Sequence, residues 1–382
     1  MTNPANTLAF SELPLNPVLQ KAIAAMGFTH ASPIQAQAIP PLLEGHDVIG
    51  QAQTGTGKTA AFAIPVIQTV DARNRAIQSL VLCPTRELAL QVTESFNQLG
   101  KGQKGLVCMA VYGGQPIPVQ MRALRRQPQI VVGTPGRVMD LMRRGALNLS
   151  HVQQVVLDEA DEMLNRGFRR DIETILRETP AKRRQTILFS ATMPKAILDL
   201  TAQFQNNAVH IKVAQHNQPV ALVEQKYLEL TRKAKSEALV QLIEQYQFQR
   251  SLVFCNTKWQ VDALVKTMQQ SGFMAEGLHG GMPQPKRDRI MRAYRSGHTT
   301  LLIATDVAAR GLDVNNIEAV FNYDLPLDVE FYIHRIGRTG RAGKAGSAFT
   351  FVERSDYSQL KKIRNSPNVN LLRHELTPLK AG

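Results

Sequence analysis

The chain has 382 residues, with 45 Lys and Arg against 31 Asp and Glu for a formal charge of +14, and 43% of its residues are apolar. That apolar share excludes a mainly disordered polypeptide, and at roughly 150 residues per domain the length predicts two or three packed domains. There is no run of 18 apolar residues and no basic-then-apolar leader, so a cytoplasmic protein with no membrane partner is expected; Cys83, Cys108 and Cys255 are too few and too scattered for a disulfide framework or a zinc site.

In chain order, short runs rich in Val, Ile, Leu and Ala predict strands over residues 47–52, 79–83, 105–111, 130–132, 155–157 and 186–189. Segments with helical spacing lie between most of them, such as 60–70, 87–99, 137–144 and 171–178. The rhythm restarts with strands over 251–255, 275–278, 300–304, 319–323 and 348–352, separated by helices such as 260–271 and 286–295. Strands alternating with helices give an α/β fold with mainly parallel sheets covered on both faces. Two such domains are expected, residues 1–212 and 224–382, joined by an aperiodic linker over 213–223 that contains Pro219. Residues 1–210 carry 21 basic and 15 acidic side chains, and the rest carry 24 and 16. Both halves are therefore basic, which points to a polyanionic partner without a separate charged tail.

Ligands of an open parallel sheet bind beyond the carboxyl ends of its strands. After the first predicted strand comes Gln53-Thr54-Gly55-Thr56-Gly57-Lys58-Thr59. The glycines let backbone N–H groups turn around phosphate oxygens, Lys58 supplies a cation for the β- and γ-phosphates, and the Thr59 hydroxyl suits Mg²⁺. Ala52 stands where the strict pattern has its first glycine. About a hundred residues on, an apolar run delivers Asp158-Glu159-Ala160-Asp161 at a strand end. Nucleotide hydrolysis needs a carboxylate beside Mg²⁺ and another that orients the attacking water, and Asp158 and Glu159 suit these two parts.

At this point the chain resembles the DEAD-box RNA helicases, whose motifs occur in family order from Phe10 to Arg341. The resemblance implies two RecA-like domains flanking an ATP cleft. Gly27-Phe28 and Pro33-Ile34-Gln35 are similar to the adenine-reading motif, with Phe10 as its upstream aromatic; Gln35 would offer a donor and an acceptor to the adenine edge. Pro84-Thr85-Arg86, Gly113-Gly114 and Thr134-Pro135-Gly136-Arg137 resemble RNA-contacting motifs, and Gly280-Gly281, Gln284, Arg287, Thr305, Arg310 and Gly311 fill similar parts in the second domain. Ser190-Ala191-Thr192 resembles the motif that ties Asp161 to the other domain, where His334 would be its partner. In His334-Arg335-Ile336-Gly337-Arg338-Thr339-Gly340-Arg341, the resemblance makes Arg338 and Arg341 arginine fingers; Asp313 would bind the ATP ribose and Asp306 would brace the arginine loop.

The reading that follows is an RNA-dependent ATPase that grips RNA backbone without sequence preference, unwinds short duplexes by local strand bending or remodels ribonucleoproteins, and works as a monomeric core with ATP and Mg²⁺. Single-stranded and short double-stranded RNA are the expected partners, with ribosomal or messenger RNA complexes as candidates. A DNA translocase, a non-hydrolysing RNA clamp and a structural ribonucleoprotein subunit remain as rival readings.

Overall fold

The computed structural model describes residues 8–52, 55–213, 222–309, 316–340, 345–366 and 369–376, and divides the chain into two compact units, Met1–Gln215 and His216–Gly382. The first unit contains strands β1 (Val48–Gln51), β2 (Ser79–Leu82), β3 (Cys108–Val111), β4 (Ile130–Gly133), β5 (Gln154–Leu157), β6 (Gln185–Ser190) and β7 (Val209–Lys212). Its helices are α1 (Pro17–Ala25), α2 (Pro33–Leu43), α3 (Lys58–Thr69), α4 (Arg86–Leu99), α5 (Ile117–Leu124), α6 (Pro135–Arg143), α7 (Ala160–Asn165), α8 (Arg169–Arg177) and α9 (Lys195–Phe204). The second unit contains β8 (Val223–Glu229), β9 (Ser251–Phe254), β10 (Ala275–Leu278), β11 (Leu301–Ala304), β12 (Ala319–Asn322), β13 (Gly346–Val352) and β14 (Leu371–Arg373). Its helices are α10 (Lys235–Tyr246), α11 (Lys258–Gln270), α12 (Gln284–Arg295), α13 (Asp306–Ala309), α14 (Val329–Ile336) and α15 (Tyr357–Arg364).

Both sheets have seven strands, in the orders β3-β4-β2-β5-β6-β1-β7 and β10-β11-β9-β12-β13-β8-β14. Among the described residues every pair of these strands is parallel, and the second order repeats the first position for position. The expected α/β class is therefore what the chain adopts.

Side chains of one strand alternate between two cores, as the period of two requires. Val81, Val132, Val156, Ile187 and Phe189 enter the layer formed with α1 to α4, whereas Leu80, Leu82, Val131, Val155, Leu157 and Leu188 enter the opposite one. Apolar residues buried on both faces explain why these strands appear as continuous apolar runs. The expected strand over 105–111 begins only at Cys108, because Gly105 has φ +87° and cannot extend the strand. At the ends of the expected linker the Val213 N–H donates to Gln51 O and Val223 opens β8; residues 214–221 lie outside the described residues.

Candidate functional site

Beyond β1, Gly55 and Gly57 adopt φ +85° and +93°, turning the chain into α3 with the helix's first N–H groups facing outward. A Cβ at Gly57 would fall 2.4 Å from Gln35 Nε2, so only glycine fits there without displacing that amide. Ser32 and Gln35, on the first turn of α2, hold this loop from the side. The Ser32 hydroxyl donates to Thr56 O (2.8 Å), Gln35 Nε2 donates to Gly57 O (3.0 Å), and Gln35 Oε1 accepts from the Ser32 N–H (2.8 Å). Gln35 thus spends one donor and one acceptor on the protein, and one amide hydrogen and one lone pair remain for a base. Phe10 and Phe28 stack with centroids 6.3 Å apart, but Phe10 is buried in the core and Phe28 is the ring with an exposed face. Phe10 therefore supports Phe28 rather than offering a surface itself.

Lys58 begins α3 and Asp158 follows β5, two strands away in the sheet order. Both side chains are buried, and Lys58 Nζ and Asp158 Oδ1 have no hydrogen-bond partner. Burial pushes the Asp158 carboxyl up to about 7, the charge of Lys58 opposes that shift, and the neighbouring Glu159 adds to it. An unpartnered buried polar atom costs about 1–3 kcal/mol, and two of opposite sign at the strand ends fit an external phosphate and an external cation. Thr59, half-buried on the first turn of α3, adds a hydroxyl next to Lys58.

Glu159 caps α7 in the left-handed region (φ +52°, ψ +53°), which costs a non-glycine residue about 1 kcal/mol or more and is kept only where the surroundings enforce it. Asp161 is tied to the turn after β6: its Oδ2 accepts from Thr192 N–H and Thr192 Oγ1, each at 2.9 Å. Ser190, unlike Thr192, does not bond the carboxylate. Its hydroxyl accepts from the Asp161 N–H (3.3 Å) and donates to Thr192 O (2.7 Å).

A second constellation lies at the carboxyl ends of β2, β3 and β4. Thr85, preceded by buried Pro84, caps α4 by accepting from the Leu88 N–H. Arg86 lies over Gly114, where a Cβ would meet Arg86 Nη1, and Arg137 donates to Gln115 O (3.0 Å). Burial, with Arg86 among the nearby charges, lowers the Arg137 pKa. Thr134 caps α6, and Gly136 on its first turn faces open space. Arg86, Gly114 and Arg137 are thus brought together at these strand ends.

In the second unit, Gly280 also faces open space, and Thr305 leads into α13. Gln284 and Arg287, expected as direct contacts, are each only 7% exposed. Gln284 Nε2 donates to Asp288 Oδ1, and Arg287 Nη1 donates to His279 O. Arg287 thus reaches the residue that leads into the Gly280-Gly281 loop, whereas Gln284 bonds one turn along α12. Asp306 bonds the arginine segment at Arg335. That guanidinium is 1% exposed and uses all five donors: two to Asp306 (2.6 Å each), and the others to Asp324 O (2.7 Å), Asn256 Oδ1 (2.8 Å) and Asn322 Oδ1 (3.3 Å). Sequence reasoning passed over Arg335, although its place one helical turn before Arg338 marks it. His334 sits in the last turn of α14 and Arg338 just beyond it, largely buried. Thr54, Arg310, Gly311, Asp313 and Arg341 lie outside the described residues.

Among the described residues no helix is long and apolar enough to cross a membrane, and no cluster of three His, Cys, Asp or Glu could hold a metal alone. A cation at Asp158 would therefore share its shell with phosphate oxygens and water.

Comparison with known proteins adds an independent line. A profile described as DEAD/DEAH box helicase matches residues 32–200, and one described as helicase conserved C-terminal domain matches residues 234–343. The DEAD-box ATP-dependent RNA helicase CshA of Geobacillus kaustophilus is 49% identical over 94% of this chain and 76% of that protein. The ATP-dependent RNA helicase CshA of Listeria monocytogenes is 46% identical over 94% and 68%. Among solved structures, S. cerevisiae Dbp5 bound to RNA and ADP BeF3 matches with a TM-score of 0.85 at 33% identity, over 96% of this chain and 95% of that one. Mss116p bound to ssRNA and AMP-PNP matches with a TM-score of 0.87 at 28% identity, over 98% and 81%. With both profiles in order on two RecA-like units of one topology, and with a phosphate loop and an acidic strand end on the first, the chain belongs to the DEAD/DEAH box helicase family.

Proposed function

We propose that this chain is an RNA-stimulated ATPase and ATP-dependent RNA helicase in which a nucleotide held by the first unit is completed for hydrolysis by groups of the second. The observation that carries this reading is the pair of buried, unpartnered atoms Lys58 Nζ and Asp158 Oδ1 beside a glycine loop of left-handed turns. Lys58 and the α3 N–H groups bind the β- and γ-phosphates, and the residual hydrogen-bonding capacity of Gln35 selects adenine against guanine. Thr59 and Asp158 would hold Mg²⁺, which when bound offsets phosphate charge. Glu159 orients the attacking water and takes its proton; Arg338 and Arg341 supply the positive charge that the transferring group requires, a contribution worth about 10³–10⁵ in rate. Asp161, Ser190, Thr192 and His334 couple the two units, and Asp313 binds the ribose.

RNA is gripped through its backbone by Thr85, Arg86, Gly114, Thr134, Gly136 and Arg137, and by Gly280, Thr305, Arg310 and Gly311, with Pro84, Gln284 and Arg287 shaping these loops. Contacts to phosphate and sugar do not read sequence, and they weaken as salt rises. ATP and RNA each favour the same arrangement of the units, so each raises the affinity for the other. A cytoplasmic monomer acting on ribosomal or messenger RNA complexes is the physiological setting we propose.

The test compares ATP hydrolysis without nucleic acid, with RNA and with DNA of the same sequence, for the wild type and Glu159→Gln. RNA-specific stimulation that Glu159→Gln abolishes, with ATP-dependent RNA binding retained, supports the reading. Equal stimulation by DNA favours a translocase, retained binding without turnover in the wild type favours a clamp, and no RNA-dependent hydrolysis or binding leaves a structural subunit.

A further inference from the structure

Trp259 is the only tryptophan of the chain and remains 69% exposed on the first turn of α11. A ring of this size left in water forgoes a large apolar burial, and α11 already buries Val261, Leu264 and Met268 on its inner face. The ring is therefore not needed for packing. Its position is informative. Asp262, three residues on and so a neighbour on the same helix face, meets His279 Nε2 at 3.1 Å, and His279 Nδ1 in turn accepts from the Gly281 N–H at 3.2 Å. Lys258, beside Trp259, reaches within 3.8 Å of where a Cβ on Gly281 would stand. The tryptophan face of α11 is thus pinned to the Gly280-Gly281 loop, which the proposed function assigns to RNA backbone.

Resting on that reading, we infer that Trp259 is a base-stacking platform: one unpaired base of an RNA whose backbone passes the Gly280-Gly281 loop lies on the indole. The charge favours this occupant over an apolar protein partner, because Lys258 adjoins the ring and residues 211–382 carry 24 basic against 16 acidic side chains. Every base presents a π-face, so such a platform adds affinity for single strands without reading sequence.

Because the chain has one tryptophan, emission excited at the red edge, where its seven tyrosines do not absorb, reports on this ring alone. The full chain with a non-hydrolysable ATP analogue is titrated with a short single-stranded RNA and with an abasic ribose-phosphate strand of equal length. Saturable quenching by the base-bearing strand only, with a loss of about ten-fold in its affinity for Trp259→Ala and recovery in Trp259→Phe, supports the inference. Wild-type binding of RNA that Trp259→Ala leaves unchanged, or an equal loss for both strands, overturns it while the helicase reading stands. Emission unmoved by bound RNA also overturns it and leaves the ring for a protein partner. A wild type that binds no RNA overturns both.

Discussion

Replacing Arg335 by Met removes a side chain that makes five hydrogen bonds within the second unit. The guanidinium sits over the Phe254 ring (5.1 Å), uses every donor, and neutralises Asp306, whose side chain is only one-fifth exposed. Removing one partner of a buried ion pair costs about 3–5 kcal/mol because the other charge stays behind unpaired, and the partial exposure of Asp306 argues for about 3 kcal/mol. For a unit the size of His216–Gly382, each kcal/mol shifts the melting midpoint by roughly 2–4 °C, so a fall of about 6–12 °C is expected. Calorimetry of the whole chain, with amide exchange to assign the loss to β9, β11, β12 and α14, measures it. Adding Asp306→Asn removes the orphaned charge and should return at least about 1.5 kcal/mol, a coupling that a double-mutant cycle reads directly. A loss below about 1 kcal/mol, or additive single and double variants, would refute the argument that this pair anchors the helix leading to Arg338.

Gly57→Ala forces a side chain into a left-handed turn and against Gln35 Nε2; strain of about 1–2 kcal/mol and one lost hydrogen bond of about 1 kcal/mol predict ATP affinity lower by roughly 30- to 150-fold in a nucleotide titration. The Asp158 carboxyl, raised to about 7 by burial, binds a proton in the folded chain that the unfolded chain has released between the ordinary carboxylate value and about 7. The group's contribution to the nucleotide-free protein therefore falls as pH rises through that window and is constant above it. Asp158→Asn should melt higher than wild type at pH 8.5, with a smaller difference at pH 5, while ATP hydrolysis is lost. Thr192→Val removes one of the two bonds from Thr192 to Asp161 Oδ2 and should cost about 1 kcal/mol in thermal unfolding of the first unit, with the fold retained.

The central strands were legible because both their faces are buried, which makes them short apolar runs. Three strands were not: in the edge strands β7 and β14 only Ile211 and only Leu371 are buried, and β8, inside its sheet, places Gln225 in the core as the acceptor of the Tyr332 hydroxyl. Such strands carry too little apolar signal to be distinguished from loops. Within the candidate site, glycine spacing and the acidic quartet were visible because their chemistry depends on residue type and local order. What stayed hidden was long-range hydrogen bonding: Ser32 to Thr56, Gln35 to Gly57, and Arg335 to Asp306, Asn256 and Asn322. Burial of Arg287 was legible only as helical spacing, since Ile290, Met291 and Tyr294 follow it on the same face while the other arginines of that helix lie elsewhere.

In the function proposed, ATP binding and hydrolysis by this chain separate RNA strands locally. Disrupting about four stacked steps at about 1.4 kcal/mol each removes roughly 6 kcal/mol from a duplex, enough to accelerate strand loss by about 10⁴ in a short helix and to achieve little in a long one. Strand release measured on RNA duplexes of about 10 and about 30 base pairs, with ATP and Mg²⁺, tests this most directly. ATP-dependent release of the short duplex with little release of the long one is the predicted result; equal release of both, or release that ATP does not accelerate, would contradict it.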